Sequence, residues 1–200
     1  MKYIFLLLFT AFCFSQDGGK IILGSEKQIF SQDGSTNAMS SLSWEHHEIH
    51  EGDHYFVNGY TTLGSGDSIM FEISTPNSTK WTHMVFDVIS SGILETRVYE
   101  GGTVTGRTAI TPQNNNRNYA NASIDTVGSV TFAQVSSFGT CIDSLKVGSA
   151  GGSKFGGTVS RSKENVLKQD ETYIYIFISG GAANIVSFQA GWYEHVSKNN

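Results

Sequence analysis

The chain has 200 residues, which is enough for one domain with a substantial hydrophobic core. Hydrophobic residues make up 39% and aromatic residues 12%, which argues against intrinsic disorder, and a net charge of −5 without any basic run argues against a nucleic-acid or anionic membrane ligand. Abundant glycine (22 residues) with only 2 prolines favours short strands joined by turns.

Residues 1–15 have the pattern of a secretory signal peptide, because Lys2 precedes an apolar run that is too short to span a bilayer. The small Ser15 suits a cleavage site. The alternatives are a hydrophobic arm that packs on a partner and a start codon assigned too early, and membrane contact is expected only through this segment. If the segment and its Cys13 are removed, Cys141 has no intrachain disulfide partner, and we expect Cys141 to be a small buried residue.

Residues 16–41 are polar and rich in turn formers, and they predict an extended arm. Residues 42–197 are patterned throughout and predict an all-β domain, an antiparallel β-sandwich of jelly-roll-like form, because turn signals separate its strand signals by about eight to twelve residues. The predicted strands cover residues 44–50, 54–60, 68–73, 81–89, 94–100, 129–135, 141–147, 173–178 and 185–193.

The last two predicted strands are the most regular. Residues 173–178 are apolar on both faces, which predicts a central strand. Gly180 and Gly181 then predict a tight turn, so that the two strands would form a hairpin. The buried face of the final strand is expected to carry Val186, Phe188, Ala190 and Trp192.

The richest polar cluster is EHHEIHEGDH, residues 45–54. On a strand, side chains two residues apart share a face, and histidine with carboxylate ligands suits zinc or another borderline cation. The face concerned would carry His46, Glu48 and His50. The helical HExxH zinc motif is absent because the second histidine comes one residue too early. We favour a polar strand face without a metal, although His83 or His195 could approach it, and a metal-dependent enzyme stays a third hypothesis.

The sequence predicts no enzyme, no catalytic residues and no cofactor. It has no nucleophile elbow, and the glycine-rich residues 148–157 lack the Gly-Lys-Ser/Thr ending of a phosphate loop. A glycosidase pair stays open among four strand carboxylates that sandwich surfaces commonly carry, Glu72, Asp87, Glu95 and Glu100. Aromatic residues that could stack on sugar rings are Trp44, Trp81 and Tyr119.

Four segments share their order and spacing with one known group of proteins. They are EHHEIHEGDHYF at residues 45–56, residues 76–88, the stretch Tyr99-Glu100-Gly101 with Thr111-Pro112 and Asn116-Arg117-Asn118, and residues 173–177 with Gly191-Trp192-Tyr193-Glu194-His195. Together they resemble a family of small tailed-phage virion proteins, over about residues 42–195. The resemblance implies a jelly-roll protein attached to the capsid as a decoration or head-fibre component, with no enzymatic role.

The resemblance also implies a virion location, the major capsid protein or other virion proteins as partners, and a homo-oligomer. The arm could dock on a neighbouring subunit by strand addition. The asparagine-rich loop offers four candidate contact residues, Asn114, Asn116, Arg117 and Tyr119. A secretion signal does not fit a phage protein assembled in the cytoplasm, so the alternative is a secreted bacterial carbohydrate-binding β-sandwich module from which residues 1–15 are cleaved.

Overall fold

The structure is a computed structural model. It describes residues 21–23, 28–32, 39–40, 44–148, 155–157 and 164–196, so the predicted signal segment lies outside the described residues. The chain divides into two compact units, Met1–Ser43 and Trp44–Asn200.

The first unit contains three short strands where it is described. Strands β1 (Ile21–Leu23), β2 (Gln28–Gln32) and β3 (Met39–Ser40) form an antiparallel sheet in the order β1-β2-β3. The part of the chain that the sequence predicts as one extended arm therefore pairs with itself in these segments.

The second unit is almost entirely β-structure. It opens with helix α1 (Trp44–Glu51) and has a 3-10 helix at Phe132–Gln134. Its strands are β4 (His54–Leu63), β5 (Ser68–Thr75), β6 (Lys80–Ser90), β7 (Leu94–Glu100), β8 (Thr103–Val104), β9 (Thr108–Ile110), β10 (Gln113–Asn114), β11 (Thr126–Val130), β12 (Val135–Ser137), β13 (Thr140–Val147), β14 (Phe155–Gly157), β15 (Asn165–Val166), β16 (Glu171–Ser179) and β17 (Asn184–Val196).

Twelve of these strands form two six-stranded antiparallel sheets, and β8 and β12 pair separately as a two-stranded sheet. Sheet I has the order β10-β4-β17-β6-β14, with β15 also paired to β6, and sheet II has the order β13-β7-β16-β5-β11-β9. Strands β4 to β7 pair with late strands in reverse chain order: β4 with β17, β5 with β16, β6 with β15 and β14, and β7 with β13. This nested pairing is that of an antiparallel ribbon folded into a jelly roll. The predicted all-β sandwich of jelly-roll form is confirmed.

The core lies between the two sheets and contains a cluster of stacked aromatic rings. Phe71 of sheet II stacks on Tyr175 of the same sheet at a centroid distance of 4.6 Å and on Phe188 of sheet I at 5.4 Å. Phe86 of sheet I lies 5.3 Å from Phe177 of sheet II. The predicted inward face of β17 packs in this core, with Val186, Ala190 and Trp192 buried and Phe188 partly buried.

Strand β16 lies in the middle of sheet II, between β7 and β5, as its apolar pattern predicts. Its inward side chains join the main core. Its outward side chains, Ile174 and Ile176, form a second cluster with Met70 and Val130. The insertion between β7 and β13 packs its apolar side chains on this cluster through Val104, Val135 and Phe138. Both faces of β16 are therefore covered.

The prediction of a strand at residues 44–50 is wrong, because this segment is helix α1. The helix ends at Gly52, which has a φ of 79° and adopts the left-handed conformation. The Gly52 amide donates to the carbonyl of Ile49 at 3.2 Å and the Asp53 amide to that of Glu48 at 2.9 Å. In the described part of the chain, no helix has the length and apolarity that a bilayer crossing needs.

The predicted hairpin of the last two strands is also wrong. Strand β16 pairs with β5 and β7 in sheet II, whereas β17 pairs with β4 and β6 in sheet I. The connection between them therefore crosses from one sheet to the other. Buried Asn184 fixes the crossing, because its Oδ1 accepts from Ser90 Oγ at 2.8 Å and its Nδ2 donates to the Ile93 carbonyl at 2.9 Å.

Two smaller expectations also fail. Cys141 is exposed on β13, at the edge of sheet II, instead of buried. A register shift between Cys141 and Asp143 interrupts the alternation of this strand. The strand predicted at residues 129–135 breaks after Val130, where the Thr131 amide donates to Gln134 Oε1 at 2.8 Å and the 3-10 helix begins.

Candidate functional site

A polar pocket of about 150 Å³ lies on the outer face of sheet I. Residues from α1, three strands and the asparagine-rich loop line it, including Glu45, His54, His83, Asn115, Gln189 and Tyr193. The register of the sheet explains this gathering, since Tyr193 of β17 is paired with His54 of β4 on one side and with His83 of β6 on the other. The three rings therefore form one row across the face.

The rings of this row are stacked. The His83 and Tyr193 rings have centroids 4.6 Å apart and an interplanar angle of 13°, and the His54 and Tyr193 rings are 6.4 Å apart at 20°. In the next row Gly191 lies between Phe56 and Val85. Because Gly191 has no side chain, the sheet offers its backbone as the floor of the pocket.

Hydrogen bonds fix the ring orientations. His83 Nδ1 lies 2.6 Å from Glu164 Oε1, and the Tyr193 hydroxyl donates to the same oxygen at 2.8 Å. Asn115 Nδ2 donates to His54 Nδ1 at 2.8 Å, which places the proton of a neutral His54 on Nε2, 3.5 Å from Glu45 Oε1. Such an arrangement holds imidazole, phenol and amide groups in place for polar ligand atoms.

His83 Nε2 is the unusual atom of this set. It is buried and has no hydrogen-bond partner among the described residues. Because Nδ1 faces a carboxylate, Nε2 of a neutral His83 is a hydrogen-bond acceptor. A buried acceptor without a partner costs free energy.

A shallow hollow of about 500 Å³ continues along the same face. It shares Asp87 and Gln189 with the pocket and ends at Tyr60 and Ile89. Tyr60 is 82% exposed, the largest exposure of any large hydrophobic side chain in the described residues. The pocket and the hollow together form a groove with polar side chains at one end and an aromatic ring at the other.

The loop residues predicted as contacts divide into two groups. Asn114 is buried, donates to the Gly52 carbonyl at 2.6 Å and accepts from the Asn116 amide at 2.8 Å. Asn116 donates to the His50 carbonyl at 3.0 Å. These two therefore fasten the loop to the end of α1, whereas Arg117 and Tyr119 are exposed on its surface. Whether any of the four contacts a partner stays a prediction.

The three candidate metal ligands do not share a face, because the segment is a helix instead of a strand. His46 and His50 are one turn apart, with their Nε2 atoms 3.0 Å from each other. Glu48 is buried, lies 3.3 Å from His47 Nδ1, and its pKa is raised by burial. Among the residues that the structure describes, no group of three or more His, Cys, Asp or Glu side chains could hold a metal ion.

The strand carboxylates are also dispersed. Glu72 is buried and paired with Arg107, Glu95 is paired with Arg97, and Glu100 accepts from Lys168 Nζ at 2.5 Å. All three are on sheet II, whereas Asp87 is on β6 of sheet I. Of the candidate stacking aromatics, Trp81 and Tyr119 are 43% and 65% exposed, and the side chain of Trp44 lies outside the described residues.

A pair of buried carboxylates was not predicted. Glu194 is fully buried and accepts from Ser123 Oγ at 2.6 Å, the Ile124 amide at 3.1 Å and Trp192 Nε1 at 3.3 Å. Asp125 accepts from Thr82 Oγ1 at 2.7 Å. Burial raises the pKa of Glu194, and burial and the nearby Glu194 together raise the pKa of Asp125 to about 7. The only sequence signal is a glutamate at an inward position of β17.

No family model, no curated protein and no solved structure matches the chain. A function is therefore proposed from the geometry and from the resemblance of the sequence segments.

Proposed function

We propose that the protein is a non-enzymatic structural component of a virion, attached to the capsid as a decoration, fibre or spike protein. One observation supports the proposal. In the segments that resemble the virion family, the polar and aromatic side chains make contacts within the sandwich that hold its strands and loops together. A protein that works by shape needs its polar residues to fix loops and strands, whereas an enzyme needs several of them to converge on a reacting atom.

The Tyr99-Glu100-Gly101 segment illustrates this use. Glu100 accepts from the Tyr173 hydroxyl at 2.9 Å and from Lys168 Nζ at 2.5 Å, which fastens β7 to the start of β16. The Gly101 amide donates to the Thr172 carbonyl at 3.0 Å. These contacts lower the pKa of Glu100, chiefly through the hydrogen bond from Lys168, so the carboxylate is held as an acceptor.

The Asn-Arg-Asn and Gly-Trp-Tyr-Glu-His segments are used in the same way. Asn116 fastens the loop to α1, Trp192 fills the core, and Glu194 binds the backbone of residues 124 and 125. Partners would then be bound by surface complementarity. The partners we propose are the major capsid protein or other virion proteins, with several copies of this chain in a symmetric assembly.

The test is the distribution of the protein between particles and medium. Particles from a producing culture are separated on a density gradient, and the protein is quantified by mass spectrometry in each fraction. We expect it to sediment with the capsid protein at a fixed ratio that survives a salt wash. Recovery only from the particle-free medium would contradict the proposal.

A second candidate function is supported by the groove on sheet I. Sugars present hydroxyls to polar side chains and apolar ring faces to aromatic ones, and the groove combines the polar side chains of Gln189 and Asp87 with exposed Tyr60. A secreted carbohydrate-binding module would bind glycans on an array, and Gln189→Ala and Tyr60→Ala would weaken that binding. Exposed Asn118→Ala is the matched control. Absence of glycan binding by the wild-type protein would dismiss this candidate.

A further inference from the structure

We propose that His46 and His50 form a two-histidine chelate for a divalent transition metal of the copper(II) class on the exposed face of α1. The proposal goes beyond the function proposed above and does not depend on it. It rests on the position of the two imidazoles on a single helix.

Helical spacing brings the two rings together. Residues four apart on a helix are neighbours on its surface, and the His46 and His50 rings have centroids 4.7 Å apart. Both residues are exposed, and their Nε2 atoms face each other at 3.0 Å. In the absence of a metal, this distance suits a hydrogen bond in which one ring donates and the other accepts.

The same distance suits two ligands of one metal ion. With metal–nitrogen bonds of about 2.0–2.1 Å, two nitrogens 3.0 Å apart subtend an angle of about 95° at the metal. An angle near 90° is the one that tetragonal copper(II) and nickel(II) adopt, and imidazole binds copper(II) more tightly than zinc.

The backbone beneath the pair is held in place. Asn116 Nδ2 donates to the His50 carbonyl at 3.0 Å, and the Gly52 amide donates to the Ile49 carbonyl at the end of the helix. The chelate therefore loses little backbone freedom when the metal binds, and the second imidazole binds at a high effective concentration. The remaining coordination positions would be taken by water or by ligands from another molecule.

The test uses the full chain without an affinity tag, because a histidine tag would bind the same metals. Copper(II) is titrated by calorimetry, and the ligands are counted from the nitrogen superhyperfine lines in the electron paramagnetic resonance spectrum. We expect one ion per chain with two nitrogen ligands and weaker binding of zinc. His46→Ala and His50→Ala should each weaken copper binding by at least about tenfold, because each variant removes the chelate.

His47→Gln is the matched control, since His47 is on the same helix but its Nδ1 faces Glu48, and it should leave copper affinity unchanged. Circular dichroism of each variant checks the fold, which alanine on an exposed helix should preserve. The proposal is overturned if the wild-type chain binds no copper stoichiometrically, if either alanine variant binds it as tightly as the wild type, or if zinc binds more tightly than copper.

Discussion

Replacing Asp125 with asparagine should remove a loss of stability that the wild-type protein suffers as the pH rises. The Asp125 carboxyl is 3% exposed, and burial together with Glu194 raises its pKa from 3.8 to about 7, against the opposing hydrogen bond from Thr82. The folded chain therefore binds this proton more tightly than the unfolded chain. The stabilisation is full below pH 3.8 and is lost as the pH rises through about 7.

The size of the effect follows from the shift. About three pKa units at 1.36 kcal/mol each correspond to about 4 kcal/mol of unfolding free energy, lost between about pH 4 and pH 8. Asparagine has the same shape, keeps an acceptor for Thr82 and carries no charge at any pH. The stability of Asp125→Asn relative to the wild type should therefore rise from about pH 4 to about pH 7 and level off by about pH 8.

Urea unfolding followed by tryptophan fluorescence at a series of pH values measures this difference. Asp143→Asn is the matched control, because Asp143 is exposed on β13 and its replacement should shift the curve little. If the wild type and Asp125→Asn have parallel pH profiles, the buried carboxyl does not bind a proton in this range and the reasoning is refuted.

Two further predictions concern a glycine with positive φ and a buried ion pair, and thermal unfolding measures the stability change in both. Gly52→Ala should lower the unfolding free energy by about 1–3 kcal/mol, because Gly52 has a φ of 79° and an added Cβ would lie 2.6 Å from the Tyr119 carbonyl oxygen. Gly181→Ala is the control and should lower it much less, because a Cβ there meets nothing within 4 Å. Equal losses in the two variants would contradict this account. Arg107→Met should lower the unfolding free energy by about 1–3 kcal/mol, because it leaves buried Glu72 without its cation. Adding Glu72→Met to this variant should restore most of the lost stability. A double variant no more stable than Arg107→Met would count against the ion pair.

Strands were predictable from the sequence because burial of one side imposes an alternation that can be read locally. Strand β6 and the closing strand β17 show this alternation, and β16 lacks it because both of its faces are covered. Helix α1 was not predictable by the same means, since its eight residues contain only Trp44 and Ile49 as large apolar side chains. Its polar residues are compatible with the helical period and with the strand period, and Gly52 is as typical of a turn as of a helix end.

Neither the pairing of the strands nor the residues of the site could be predicted from local sequence patterns. The glycine pair Gly180-Gly181 is compatible with a hairpin and with a crossing between sheets, and only the partners of β16 and β17, about a hundred residues earlier in the chain, decide between them. The row of His54, Tyr193 and His83 depends on the same long-range register. A shift of one residue in β17 would have turned Tyr193 into the core.

The antiparallel pairing of β4 with β17 has a consequence for how the jelly roll can be held. Because His54 at the start of β4 lies opposite Tyr193 near the end of β17, β4 begins and β17 ends at the same pole of the sandwich. The other pole, where Leu63 meets Asn184, is about 30 Å away along a ten-residue strand. A partner bound at the start of β4 or at the end of β17 would therefore hold the same pole and leave the far one facing the surroundings.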